Sequence, residues 1–257
     1  MIVVVPVDPP REGLVSSSLV DQTPLSAAEA LALYEASVVD VLRAVAASGG
    51  DLLVNYRDAE TLPRSVADGD GDPEAEVRAL AVDALGDFDE DTDATTDGGV
   101  RFERQVGSSR AARVGNTVTH LLEQEAANSV GVLEPTASLV GRTQVDGAAM
   151  SIRRNEVVLG PSSDGRVYLA AVSEPIDFTD AYAVPEMSTL ATRADAAGLS
   201  VGFAPMLPSV ATPAGLRSTV ALLEARRTAA KPGAEATAAF VDELGLTIGD
   251  EESLERE

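Results

Sequence analysis

The residues best suited to chemistry fall in a few short segments. Val157-Val158-Leu159-Gly160-Pro161-Ser162-Ser163-Asp164-Gly165-Arg166-Val167-Tyr168-Leu169 leads an apolar run into a Gly-Pro break, then an Asp-Gly turn into an aromatic-bearing strand. Asp164 is the best candidate for a catalytic carboxylate, and Gly165 is the residue able to take a positive φ. An ordinary hairpin fits the same spacing. The apolar run Ile2 to Val7 contains Pro6 and opens at Asp8 into a loop reaching Pro24, whose only cation is Arg11. Further along, Arg104, Gln105, Arg110 and Arg113 lie close together. Guanidinium groups bind phosphate oxygens in a bidentate manner, although salt bridges to an acidic surface would use the same groups.

Other candidates are weaker. His120 is the only histidine and lies in a helical pattern, so a structural or surface role is expected. No cysteine is present, which excludes disulfides, thiolate metal sites and a cysteine nucleophile. Asp87, Asp89, Asp91 and Asp93 alternate as in a calcium loop, but the glycine at the sixth position and the glutamate at the twelfth are missing. A solvated acidic loop over 86–99 is the expectation there. Arg153-Arg154 and Arg226-Arg227 read as helix-end cations.

The elements that must position these residues alternate between strand and helix. Ile2 to Val7, Leu52 to Tyr56, Val100 to Val106, Val130 to Leu133, Glu156 to Gly160, Val167 to Val172 and Leu199 to Ala204 read as strands. Ser26 opens a helix with Glu29 completing a capping box, and Gly49-Gly50 ends it. Helices are expected over Glu74 to Leu85, Ser108 to Ala127, Val140 to Ile152, Glu186 to Ala197, Ala214 to Ala229 and Glu235 to Leu244, with a frayed polar tail from Gly249. Such alternation predicts a mainly parallel sheet covered by helices on both faces. In that arrangement a ligand lies beyond the carboxyl ends of the strands, which selects the loops 8–24, 134–139 and 161–165.

Charge restricts the partners. With 42 Asp plus Glu against 19 Lys plus Arg, the net charge is −23 over 257 residues. Such a field repels phosphate backbones, so nucleic acid is not an expected partner. Lys231 is the only lysine. An acidic, lysine-poor composition is expected of a soluble protein in concentrated salt, where self-repulsion is screened. No apolar run approaches the ~20 residues of a membrane span, and Met1 to Val7 lacks the features of a signal peptide. A cytoplasmic protein is expected.

The Gly160 to Leu169 segment resembles the LGPxxDGGYYL signature of a family of small GT-A-like glycosyltransferases, which are nucleotide-diphospho-sugar transferases. Other segments agree in order. Val3-Val4-Val5-Pro6-Val7 looks like the family's first strand, and the opening also resembles 2-phospho-L-lactate guanylyltransferases. Gln105-Val106-Gly107 through Arg113 looks like its Gln-Gly-Leu-Gly-x-Arg region, and Ala204 to Leu216 like its closing LPxxxDxDTPxDL stretch. The resemblance implies a GT-A-like three-layer α/β fold with a mixed, mostly parallel sheet of about seven strands. Residues 1–228 would form the nucleotide-binding domain, followed by a helical extension and polar tail over 229–257. It also implies a ligand site at Pro6, Asp8, Arg11, Gln105, Arg113, Glu134, Thr136 and Gly165, with Asp164 near the sugar or acceptor.

The departures from the family pattern concern charge. The family's first loop carries Gly-x-x-Lys-Thr-Arg-Leu, whereas here only Arg11 is cationic. The family's Gly-Thr-Asp-Ser-Pro, whose Asp is expected to bind a divalent ion, is replaced by Glu134-Pro135-Thr136-Ala137-Ser138, with Thr136 about where that Asp falls. Aspartates of the closing stretch become neutral around Val210 and Ala211, and a later one becomes Gly215. The expectation is a nucleotide- or sugar-nucleotide-binding, transferase-like protein with a degenerate metal site. Mg²⁺ or Mn²⁺ would bind only if Glu134 supplies the displaced carboxylate. The alternative is a non-catalytic scaffold or regulatory protein that keeps the fold, and a homodimer is open in either case.

Overall fold

A computed structural model describes residues 1–67, 71–86, 100–231, 233–249 and 253–256. The segments expected as strands become β1 (Ile2–Val7), β2 (Asp51–Tyr56), β3 (Arg101–Arg104), β4 (Val130–Leu133), β5 (Val157–Pro161), β6 (Val167–Val172) and β7 (Val201–Phe203). They form one seven-stranded sheet in the order β3-β2-β1-β4-β6-β5-β7. Strand β1 pairs in parallel with β2 and β4, while β6 runs antiparallel between β4 and β5. The expected mixed, mostly parallel sheet is therefore present.

The helices are α1 (Ser17–Val20), α2 (Ala27–Ala46), α3 (Arg64–Ala67), α4 (Pro73–Leu85), α5 (Arg110–Glu123), α6 (Arg142–Ser151), α7 (Glu186–Ala196), α8 (Pro213–Thr228) and α9 (Glu235–Glu243). The two four-residue helices were not legible in the sequence, because a single turn leaves no helical periodicity to detect. Side-chain alternation along β1 explains the two layers of the core. Val3, Val5 and Val7 pack with α2 and α4, while Val4 joins Leu53 and Val132 on the face covered by α5 and α7. Continuous Val/Ile/Leu runs are what a sheet buried on both faces requires.

The capping box at α2 forms as expected, with Glu29 N–H donating to Ser26 Oγ at 3.3 Å and Ser26 N–H to the Glu29 carboxylate at 2.8 Å. The tail differs from expectation. Residues Leu246–Ile248 and Leu254–Arg256 pair as a two-stranded antiparallel ladder, β8 and β9, instead of fraying. Leu246 and Leu254 pack into a cluster with Leu19, Leu25, Leu33 and Leu216. Arg256 donates to Pro24 O at 2.5 Å and to Glu29 at 2.6 Å. Arg256 and the two leucines supply these anchoring contacts. Helix α9 docks on α2, where the Asp40 carboxylate accepts Ala236 N–H at 3.0 Å and Thr237 N–H at 2.8 Å. The acidic loop expected over 86–99 lies outside the described residues from 87 onward.

Two glycines are set by close approach. At Gly160 a Cβ would stand 2.7 Å from the Tyr168 ring, so the glycine of the Gly-Pro break makes room for that buried aromatic. At Gly215, in the first turn of α8, a Cβ would lie 1.9 Å from the Ser209 carbonyl oxygen. An aspartate does not fit there while the Ser209–Thr212 turn keeps its course. Gly215→Ala is expected to cost at least about 2 kcal/mol, because backbone must move and overpacking is paid in strain. Urea unfolding checks it, and an unchanged midpoint would contradict the packing.

Candidate functional site

The carboxyl ends of β1 and β4 open into a cleft of about 220 Å³, lined by Pro6, Asp8, Gln105, Arg113, Glu134 and Thr136 together with Ser16 to Ser18, Tyr34, Arg110 and Ala211. Six of the nine residues expected at the site thus meet there, from segments far apart in the chain. Their convergence follows from topology. Strands β1 and β4 are parallel neighbours, so the loops that leave them emerge side by side.

Asp8 is the first residue beyond β1. The Tyr34 hydroxyl holds its backbone on both sides, accepting from Asp8 N–H at 2.9 Å and donating to Asp8 O at 3.1 Å. Tyr34 projects from α2 and is 3% exposed; burial and the Asp8 charge raise its pKa well above the usual phenol value. The Asp8 carboxylate lies 3.6 Å from Arg57 Nη1. Burial raises its pKa above the ordinary carboxylate value, and Arg57, Arg113 and Arg110 only partly offset that.

This shift fixes the sign of a stability prediction. A group whose folded pKa is raised contributes stability below its unfolded value and loses it as pH rises through the folded value. Charged Asp8 is therefore a cost at neutral pH. Asp8→Asn is expected to melt higher than the parent at pH 7, with the gap closing as pH falls to the unfolded carboxylate value near 4. Calorimetric melts across that range check it. A variant that melts lower at pH 7 would show that the arginines outweigh burial.

The arginine side of the cleft is built from the segment after β3. Gln105 is 4% exposed and donates from Nε2 to Asn55 O at 2.7 Å, which aims its own carbonyl oxygen at Arg113. Arg113 Nε donates to that oxygen at 2.7 Å. Its Nη groups have no protein acceptor among the described residues. Burial and the neighbouring Arg57 and Arg110 push its pKa down, with Asp8 acting against them. Both Arg110 and Arg113 lie in the first turn of α5, whose N-cap Ser109 accepts Ala112 N–H at 3.1 Å.

Arg110 is shared. It forms an ion pair with Glu134 and lies 4.7 Å over the Tyr182 ring. Glu186, only 3% exposed, accepts Val167 N–H at 3.0 Å and Arg166 Nη1 at 3.3 Å, and burial raises its pKa.

Thr136 meets the closing stretch directly. Its Oγ1 is 2.8 Å from Ser209 Oγ, its carbonyl accepts Val210 N–H at 2.9 Å, and Ser18 Oγ donates to Ala211 O at 2.9 Å. The two places where the family resemblance expects metal carboxylates are therefore neighbours in space, and both are neutral. The carboxylates lining the cleft are Asp8 and Glu134, the latter already paired with Arg110. No group of three or more histidine, cysteine or acidic side chains able to hold a metal is present among the described residues. Two carboxylates each paired with an arginine and a hydroxyl pair are a poor donor set for Mg²⁺ or Mn²⁺, which favour carboxylate and water oxygens.

Three expected site residues lie elsewhere. Arg11 does not reach the cleft: its guanidinium bonds Glu76 through Nε at 2.9 Å and Nη2 at 2.8 Å, and also Val66 O and Gly71 O. It fastens the first loop to α4 instead of facing a phosphate. Asp164 and Gly165 form the turn between antiparallel β5 and β6, as the sequence implies, with φ values of 60° and 71°. That turn lies at the same sheet edge as the cleft, but Asp164 is exposed and outside the cleft lining, and Gly165 faces Pro185.

Reading the sequence missed Tyr34, Arg57 and Glu186. Tyr34 sits within the apolar pattern of α2, where an aromatic reads as core, and Arg57 immediately follows β2 with no neighbouring motif. Glu186 at the start of α7 looks like an ordinary first-turn acid.

No family model and no curated protein matches the chain. Among solved structures, a protein from Desulfovibrio desulfuricans G20 described as a nucleotide-diphospho-sugar transferase superposes with a TM-score of 0.70 at 18% identity, covering 94% of each chain. A cytidylyltransferase from Leptospira borgpetersenii gives a TM-score of 0.47 at 8% identity, over 94% of this chain and 93% of that one. A nucleoside-diphosphate-sugar pyrophosphorylase from Vibrio cholerae RC9 gives 0.46 at 13% identity, over 85% and 98%. The Desulfovibrio likeness, with the seven-stranded sheet and its single antiparallel insertion, shows that this chain has a GT-A-like fold.

Proposed function

We propose that the cleft binds the diphosphate of a nucleotide or nucleotide sugar, and that this protein is a transferase-like binder with a weakened or absent metal site. The observation that carries the reading is Arg113, fixed through Nε by buried Gln105 with its Nη groups open to the cleft. Guanidinium groups held in this way bind phosphate oxygens with little loss of side-chain entropy. Arg110 would add positive charge from the same helical turn once a ligand competes for its bond with Glu134. The name of the Desulfovibrio relative in fold agrees with this class of ligand.

If transfer occurs, fixed arginines would have to offset the diphosphate charge that develops as the bond breaks. Asp8, beside the arginines and pinned by Tyr34, is the carboxylate placed to accept a ligand hydroxyl. One observation favours binding without transfer: the Thr136–Ser209 hydroxyl pair stands where the resemblance expects metal-binding carboxylates.

Calorimetric titration with a panel of nucleoside diphosphates and sugar nucleotides, in high KCl with and without Mn²⁺, tests both readings. Saturable binding of one nucleotide without metal is expected. A tight Mn²⁺ site that disappears in Glu134→Gln would restore a metal-assisted enzyme. No binding by any member of the panel would leave the scaffold alternative standing.

A further inference from the structure

A second groove, of about 580 Å³, shares no lining residue with the cleft. It lies between α2, the start of α6, the end of α8 and the start of α9. Three cations line it: Arg43, Arg226 and Lys231. In a chain with 42 acids and 19 basic residues, most arginines are paired with carboxylates, yet none of these three forms a salt bridge among the described residues. Arg43 donates only to backbone, from Nε to Ala84 O at 2.9 Å and from Nη2 to Asp83 O at 3.5 Å. Arg226 makes one long bond, from Nη2 to Leu139 O at 3.4 Å. Lys231 is held beside it by a backbone bond to Arg226 O at 2.9 Å, and its ammonium group has no acceptor among the described residues.

The remaining lining fits an anion with an organic part. Thr143 lies in the first turn of α6, where its backbone N–H has no acceptor among the described residues and the helix dipole adds positive potential. Ala44, Leu139, Val140 and Ala234 supply apolar floor. Two carboxylates face the same space. Asp40 is occupied with the amides of Ala236 and Thr237, and Glu235 is exposed at the start of α9. The volume falls within the few hundred cubic ångströms typical of small-molecule sites.

We infer that this groove is a second binding site, for the phosphate group of a small phosphorylated compound, held by Arg43, Arg226 and Lys231 with the amino end of α6. Its floor, Leu139 and Val140, belongs to the same loop that carries Glu134 and Thr136, so a ligand there touches the segment that shapes the cleft. The inference stands on the groove alone and does not require that the cleft bind a nucleotide.

The test is calorimetric titration of the full chain with inorganic phosphate and with glucose 6-phosphate in potassium acetate. One saturable site is expected for both, tighter for the ester if the apolar floor contributes. The double substitution Arg226→Met with Lys231→Met should weaken that site about tenfold or more, since each charge-assisted bond is substantial. Arg113→Met in the cleft should leave it unchanged. Thermal melts show whether each variant folds, and an amide shift of Thr143 on adding phosphate to the parent protein reads the site without mutation. Absence of saturable binding, or binding lost in Arg113→Met and kept in the groove variant, overturns the inference.

Discussion

Arg113→Met is expected to weaken nucleoside diphosphate binding at least about 100-fold, because two open Nη groups each offer a charge-assisted hydrogen bond worth about 1.5–3 kcal/mol. Methionine keeps much of the side-chain bulk and removes only the charge and donors. Gln105→Leu is the companion variant. It leaves the guanidinium in place and removes the acceptor that orients it, so a smaller loss of about tenfold is expected, from entropy that must now be spent on binding. Arg113→Lys should recover part of the charge without the fork geometry. Calorimetry on the four proteins gives the ranking. Unchanged affinity in Arg113→Met would remove the cleft reading, since Arg113 is the cation lining the cleft that forms no ion pair among the described residues. Arg110 is tied to Glu134, and Arg57 is tied to Asp8 and the Thr61 carbonyl.

The melting temperature is expected to rise steeply with KCl, by about 10 °C or more between dilute buffer and multimolar salt. The net charge of −23 is confined in one folded body whose cations are few and mostly already paired. Self-repulsion of that size opposes the compact state. Relieving even a few kcal/mol of it moves the midpoint by about 2–4 °C per kcal/mol in a chain of this length. Simple screening is nearly complete at ordinary ionic strength, so a continued rise above that range distinguishes adaptation to concentrated salt from generic screening. Melts by circular dichroism across KCl concentration decide it. A melting temperature independent of salt would refute the salt reading and leave the acidity as a matter of solubility alone.

The sequence by itself determined the order of the seven sheet strands and the longer helices, because the physical signals for them are local. Apolar runs of five or six residues ended by Pro, Gly or Asp specify buried strands, and Ser26 with Glu29 specifies a helix start. The Asp164-Gly165 turn was likewise legible from residue types, whereas the hydroxyl-for-carboxylate change at Thr136 was legible only against the family resemblance. The tail was misread for a related reason: its anchoring by Arg256 to Glu29 and Pro24 spans more than 220 positions, and composition near Gly249 says nothing of that partner.

Only the tertiary structure decided which candidates share a site. Arg11 and Arg113 are chemically identical in the sequence. One is consumed by Glu76 and two carbonyls and the other keeps its Nη donors free, a difference set by whether a carboxylate happens to fold alongside. Asp8 and Asp164 are likewise indistinguishable as residue types, yet burial beside arginines raises the pKa of one while the other sits exposed on a turn. The pairing of Thr136 with Ser209 joins residues 73 positions apart. Periodicity reports which side of an element is buried. Hydrogen-bond partners and local potential depend on contacts between elements, and those form only when the sheet brings β1, β3 and β4 together.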